Sequence, residues 1–149
     1  MTVRIRLATA ADIEAWSAMR AELWPEADPD ELRAEALAWD ATAGVALLAF
    51  DGAGPPVGMA EATLRHDYVN GTESSPVGFR EAWYVEGACR GRGSGRALIA
   101  AVETWTREQG CTELASDALI DNAASHAAHA ACGFEETERV VYFRKPLQA

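Results

Sequence analysis

Apolar and charged residues alternate from the start of the chain. In "VRIRLA", residues 3–8, Val3, Ile5 and Leu7 fall on one side and Arg4 and Arg6 on the other, the two-residue period of a half-buried strand. "TAADIEAWSAMRAELW" follows, and there Ile13, Trp16, Met19, Arg20 and Leu23 keep near-helical spacing. Thr9, with Asp12 three residues later, supplies an N-terminal cap. Pro25 and Pro29 end that run, and "DELRAEALAWD" at 30–40 predicts a second helix. Two apolar stretches, "GVALLAFD" at 44–51 and "VGMAEATLR" at 57–65, flank a Gly-Pro turn and read as an antiparallel hairpin. "FREAWYVEG" at 79–87 resumes as a strand after the polar excursion "HDYVNGTESSPVG". A helix is expected from Ser94 to Gln109, stopped by Gly110. Beyond it come a strand in "CTELASDAL", a helix in "NAASHAAHAAC" closed by Gly133, and a last strand or strand pair in "FEETERVVYFRKPL". The order β-α-α-β-β-β-α-β-α-β, with no repeat and no linker, predicts one α/β domain over 1–149. Its centre is a mixed sheet flanked by helices.

Composition narrows the function. With 149 residues, 49% apolar and 24% charged, the chain is long enough for a buried core. Nowhere do 18 consecutive apolar residues occur, and "MTVRIRLATAADIEAW" has no apolar leader core, so neither a membrane span nor secretion is expected. Three cysteines, an odd number with no CxxC spacing, point to a reduced, cytoplasmic setting and away from a metal site. The net charge of −10 disfavours binding to a phosphate backbone and concentrates cations near the surface. Solubility accounts for the same charge equally well.

The chemistry gathers at "CRGRGSGRALIAAVETW", residues 89–105. Glycine loses more backbone entropy on folding than any other residue, so a glycine-rich turn between strand and helix calls for a reason. Arg90, Gly91, Arg92, Gly93, Ser94 and Gly95 set successive backbone N–H groups at a helix N-terminus, where a bulky anion binds. Arg96 adds charge. The turn is not GxxxxGK[ST], which excludes the nucleoside-triphosphate loop; it is not GxGxxG either and lies late in the chain, which argues against a dinucleotide fold. A tight connection that needs glycine for close packing is the alternative.

R-x-x-G-x-G between a strand and a long helix resembles the acetyl-CoA loop of the GNAT superfamily of N-acetyltransferases, and the element order matches over nearly the whole chain. "NAASHAAHAACGF" at 122–134 is similar to the family's fourth-helix signature. The resemblance implies the acyl-CoA N-acyltransferase fold, with acetyl-CoA as cosubstrate and no metal. It places the coenzyme pyrophosphate on Arg90 to Gly95 and the pantetheine arm along Trp83, Tyr84 and Val85, with a further contact at Asn122. "LWP" (23–25), "RHDYVNG" (65–71), "SSPVGFREAWYV" (74–85), "ASD" (115–117) and "GFEETERVVYFRK" (133–145) resemble the small single-domain aminoglycoside 6′-N-acetyltransferases. From this follow a polycationic amine as acceptor and an acceptor pocket of Trp24, Tyr68, Glu81, Asp117 and Glu138. Carboxylates would pair with its ammonium groups and rings would cover its sugar faces. Each has a plainer reading as core, loop anchor, strand-end cap or solvated acid. The family also often pairs as a homodimer through C-terminal strands, for which "VVYF" at 140–143 is the candidate.

Direct transfer needs a neutral amine, a polarised thioester carbonyl and a protonated leaving thiolate. Glu81 is the candidate base, or acts purely by electrostatic attraction. The Val85 N–H is the candidate oxyanion donor by the resemblance. His129 stands four residues before Gly133, where the family often carries a tyrosine acid. It is either the proton donor or a helix-face residue. A different small polyamine or amino sugar as acceptor, or a non-catalytic acyl-CoA sensor, remain the alternatives.

Overall fold

The computed structural model describes residues 2–148. The chain divides into two compact units, Met1–Asp117 and Ala118–Ala149. The first contains a five-stranded sheet with the strands in chain order. β1 (Val3–Leu7), β2 (Gly44–Asp51), β3 (Gly58–Arg65) and β4 (Val77–Val85) are antiparallel neighbours, and β5 (Leu114–Ala115) runs parallel to β4. The sheet is mixed, as the element order predicts.

Helices cover both faces of that sheet. α1 (Ile13–Leu23) and α2 (Pro29–Leu37) lay Ile13, Trp16, Met19 and Ala36 on Ala46, Leu48, Phe50, Met59 and Ala82. α3 (Ser94–Glu108) buries Leu98 and Val102 against Val45, Leu47, Ala49, Ala60 and Ala62. The strands therefore divide their alternate residues between two apolar layers, which is why β2 reads as one continuous apolar run. α3 approaches β4 so closely that a Cβ on Gly78 would meet the Thr106 hydroxyl at 2.7 Å. Before α1, the Thr9 N–H donates to the Asp12 carboxylate at 2.9 Å, and Arg6 grips both Asp12 oxygens at 2.8 Å. The sequence-read cap is therefore present, on a short 3-10 turn that leads into α1.

Two expected strands differ. The one in 111–119 shortens to Leu114–Ala115. Beyond it the Arg80 side chain takes the place of a strand, donating to Ser116 Oγ at 2.9 Å and to the Asp117 carbonyl at 2.5 Å. In the second unit, α4 (Ala123–Ala131) forms as read, but the expected strand in 134–147 does not: the described residues there are irregular. Val141, Tyr142 and Phe143 are exposed. A strand needs an edge to pair with, and among the described residues of the second unit there is no other strand for this segment to join.

Candidate active site

The centre of the site is a fault in the sheet. Opposite Glu61 stands Ala82, yet opposite Ala62 stands Arg80, so β4 carries one residue more than β3, and that residue is Glu81. A bulge re-aims the side chain it contains. Strict alternation would send Glu81 to the face opposite Ala82. Instead its carboxylate lies on the face of β3 that carries Thr63 and Arg65. Thr63 Oγ donates to Glu81 Oε1 at 2.8 Å, and Arg65 donates to the same oxygen from Nη2 at 2.8 Å and Nε at 3.2 Å. The Arg65 guanidinium lies 3.7 Å from the centroid of the Phe79 ring.

A second feature is an open strand edge. β4 pairs with β5 only at Gly78–Leu114 and Phe79–Ala115, so from Arg80 to Val85 no strand of the described residues lies along that edge. Glu86 donates its N–H to the Val57 carbonyl of the β3 side at 2.8 Å. By strand alternation the N–H groups of Val85 and Trp83 turn the other way, toward the open edge. Arg90 Nε donates to the Val85 carbonyl at 3.0 Å from that side. Two amides that face this edge suit an extended, amide-containing chain.

The glycine turn follows directly. Gly91 (φ +79°) and Gly93 (φ +92°) both take the left-handed region, with no atoms where a Cβ would stand. Their glycines answer a backbone demand and leave open space above the first turn of α3. Gly95 has an ordinary φ, and its carbonyl accepts from Trp83 Nε1 at 3.1 Å, so the Trp83 ring fastens α3 to the sheet. Ser94 Oγ is buried at that helix start without a hydrogen-bond partner. An orphaned hydroxyl, free first-turn N–H groups and room beside two glycines fit a diphosphate. Arg92 reaches Asp51 only at 3.4 Å. Next to this turn, a cleft of about 450 Å³ is walled by Met19, Glu22, Tyr84, Glu86 and Gly87. Burial first, then Glu22 and Glu86, push the Tyr84 phenol's pKa up. Glu81 is not part of that cleft; its side chain is 30% exposed.

The remaining candidates fall in different places. Trp24, just past α1, packs on the α1-side core, with the Arg20 guanidinium 5.1 Å from its ring centroid. Arg20 in turn donates Nε and Nη2 to Glu61 at 2.8 and 2.9 Å, and Glu61 is the cross-strand neighbour of Ala82. Tyr68 is 70% exposed in a loop whose far end is tied down by hydrogen bonds from Glu73 N–H and Ser74 Oγ to Glu113. Those bonds, that from Ser74 first, pull the Glu113 carboxyl below its usual pKa. Asp117 is exposed, its backbone held by Arg80.

In the second unit, Asn122 caps α4, its Oδ1 accepting from Ser125 N–H at 3.1 Å. His129 Nδ1 sits 2.7 Å from the Ser125 carbonyl, so that nitrogen is the donor and the neutral ring keeps its lone pair on Nε2. His129 Nε2 gives up a proton only from the imidazolium. Its ring meets Phe134 edge-to-face at 5.0 Å. Glu138 is exposed. Sequence reasoning missed Thr63 and Arg65. The alternation T-x-R on β3 facing F-x-E on β4 is visible in the chain, but pairing them requires the bulge.

A mixed sheet that opens after Phe79, with a two-glycine turn into a long helix beside the opening, is the frame of an acyl-CoA-dependent transferase. A model of the acetyltransferase (GNAT) family matches residues 12–134, and the chain belongs to that family. Among known proteins it is similar to an aminoglycoside N(6′)-acetyltransferase type 1 of Stenotrophomonas maltophilia, 60% identical over 97% of this chain and 94% of the relative. It is also similar to one of Serratia marcescens, 48% identical over 91% of this chain and 94% of the relative. Among solved structures, AAC(6′)-Iy in complex with the bisubstrate analogue CoA-S-monomethyl-acetylneamine superposes with a TM-score of 0.89 at 40% identity, covering 99% of this chain and all of that one.

Proposed function

We propose that this chain transfers the acetyl group of acetyl-CoA to the 6′-amine of aminoglycosides, inactivating them. The observation that carries the reading is the 60% identity to a named aminoglycoside N(6′)-acetyltransferase over 97% of the chain. We take 1–149 as one catalytic domain, since the family match at 12–134 runs across both compact units.

Acetyl-CoA supplies an activated thioester. In this reading Gly91 to Gly95 and the orphaned Ser94 hydroxyl hold its diphosphate, Trp83 and Val85 offer outward amides to the pantetheine arm, and Asn122 adds a contact from α4. The acceptor arrives as an ammonium, which has no lone pair. Glu81 draws it in and takes the proton, directly or through water. The amine nitrogen then forms a bond to the thioester carbon and gives up its second proton to water, and the C–S bond breaks. The Val85 N–H steadies the negative charge on the carbonyl oxygen. The thiolate leaves with a proton, for which the His129 imidazolium is a source. Net, one ammonium and one thioester give an amide, a thiol and one proton. Trp24, Tyr68, Asp117 and Glu138 complete the acceptor contacts. Cys89, Cys111 and Cys132, none of them in a disulfide, suit a cytoplasmic setting. The exposed run Val141–Tyr142–Phe143 suits a strand completed by a second copy, which supports the reading of a homodimer.

A thiol-release assay tests the reading. Release is expected with acetyl-CoA and kanamycin, and no release when the 6′ position carries a hydroxyl. Release with spermidine but not kanamycin would move the acceptor to the polyamines. Coenzyme binding without release for any amine would leave a sensor.

A further inference from the structure

The two oxygens of Glu81 are not equivalent. Oε1 accepts three hydrogen bonds, from Thr63 Oγ and from Arg65 Nε and Nη2. Oε2 accepts one, from Arg65 Nη2 at 3.1 Å. A carboxylate oxygen has about two lone-pair directions, so Oε1 is saturated while Oε2 keeps capacity. Arg65 is itself braced, its guanidinium stacked on Phe79 at 3.7 Å. Thr63, Arg65, Phe79 and Glu81 come together only because the bulge turns Glu81 to their face. The pair is half exposed, 43% for the Arg65 side chain and 30% for Glu81, so it adds little to stability. Its geometry bears instead on where the carboxylate points.

We propose that Arg65, assisted by Thr63, is a positioning residue for acetyl transfer: it anchors Glu81 through Oε1 and presents Oε2 to the acceptor amine. The proposal rests on the reading that Glu81 meets that amine. A carboxylate held by two neighbours cannot rotate away from the line of attack, and small misplacements at a reacting centre cost rate steeply. The clamp has an electrostatic side with a distinctive sign. Arg65 is a cation in a site for cations, so its charge opposes acceptor binding while its hydrogen bonds favour turnover. The role that this charge can play there is therefore orientation, through the bonds it makes to Glu81.

The test is a double-mutant cycle on the full chain with Arg65→Met, Glu81→Gln and the double variant. It reads kcat and KM for kanamycin by thiol release, acetyl-CoA Kd by calorimetry, and Tm. Arg65→Met is expected to lower kcat about tenfold, while the kanamycin KM stays level or falls because a positive charge has gone. Acetyl-CoA Kd stays within about twofold, and the double variant is no slower than Glu81→Gln alone. Arg65→Lys, which keeps the charge but not the fork, recovers only part of the loss. Thr63→Val repeats the effect at a few-fold and reads the clamp even where Arg65→Met fails to fold. Wild-type kcat in both Arg65→Met and Thr63→Val, with Glu81→Gln impaired, overturns the positioning role and leaves Glu81 in place. A full further loss in the double variant also overturns it, since Arg65 would then act on another group. Unchanged turnover in Glu81→Gln overturns the underlying reading and the proposal with it.

Discussion

Two arginine–glutamate pairs share one face of β3 and differ in almost every other respect. Glu61 and its partner Arg20 are 1% and 5% exposed. Arg20 closes on both Glu61 oxygens, on the Leu32 carbonyl at 3.0 Å and on Glu35 at 2.8 Å, and Trp16 Nε1 adds a bond to Glu61 at 2.8 Å. Burial pulls the Arg20 pKa down, but its bonds to Glu61 and Glu35 outweigh that and leave the value raised. Four residues along the strand, Arg65 closes on Glu81 at the surface and leaves Oε2 nearly unused. The first pair has spent its hydrogen-bonding capacity on fixing α1 and α2 to the sheet. The second leaves capacity on Glu81 Oε2. Burial and completeness of bonding separate a pair that serves the fold from the pair we propose serves acetyl transfer.

The largest expected effect follows from breaking the closed pair. Arg20→Met leaves the Glu61 carboxylate buried with only Trp16 beside it, and removing one partner of a buried ion pair costs about 3–5 kcal/mol. Urea unfolding should show that loss, and Arg20→Met combined with Glu61→Leu should recover most of it, because two apolar side chains leave no charge stranded. A single-variant loss under about 1 kcal/mol would place Arg20–Glu61 with ordinary surface pairs and erase the contrast.

The contrast also explains what the sequence discloses. Helix spacing puts Arg20 on the stripe of Trp16 and Met19, which shows that it faces the core but not what it meets there. Its partner lies 41 residues away on a strand, and long-range pairing has no local signature. The glycine turn is legible because Gly91 and Gly93 answer a backbone demand that few other residues meet. Glu81 is legible as a candidate from its place before that turn, yet its face depends on a bulge that alternation alone does not foretell. The segment 134–147 reads as a strand from its composition, but pairing decides whether a strand forms.

A change outside both pairs sharpens the comparison. Gly93 stands at φ +92°, ψ −1°, a conformation that costs a β-branched residue about 1–2 kcal/mol. Nothing lies within 4 Å of its would-be Cβ, so Gly93→Val pays in backbone strain and not in collision. Calorimetry should show acetyl-CoA binding weakened about tenfold, while kcat at saturating coenzyme stays within about threefold because Glu81 and its clamp are untouched. A collapse of kcat with unchanged coenzyme affinity would tie the turn to the acceptor side instead.

The smallest effect concerns a third pair, Arg6–Asp12, which has two short hydrogen bonds like the others but caps a helix start at the surface. The Arg6 hydrogen bonds hold the Asp12 carboxyl well below the usual carboxylate range, with further help from the Thr9 N–H and hydroxyl. A carboxyl whose pKa falls on folding stabilises the fold fully above its unfolded value, about 3.9, and loses that contribution as the pH drops through the folded value. Asp12→Asn should therefore lower Tm by about 2–4 °C at pH 7. The gap to wild type should hold down to about pH 5 and shrink below about pH 4. Kanamycin turnover should be unchanged, the reverse of the pattern expected for Arg65→Met. A gap that persists undiminished at pH 2 would assign the stabilisation to the shape of the cap and not to its charge.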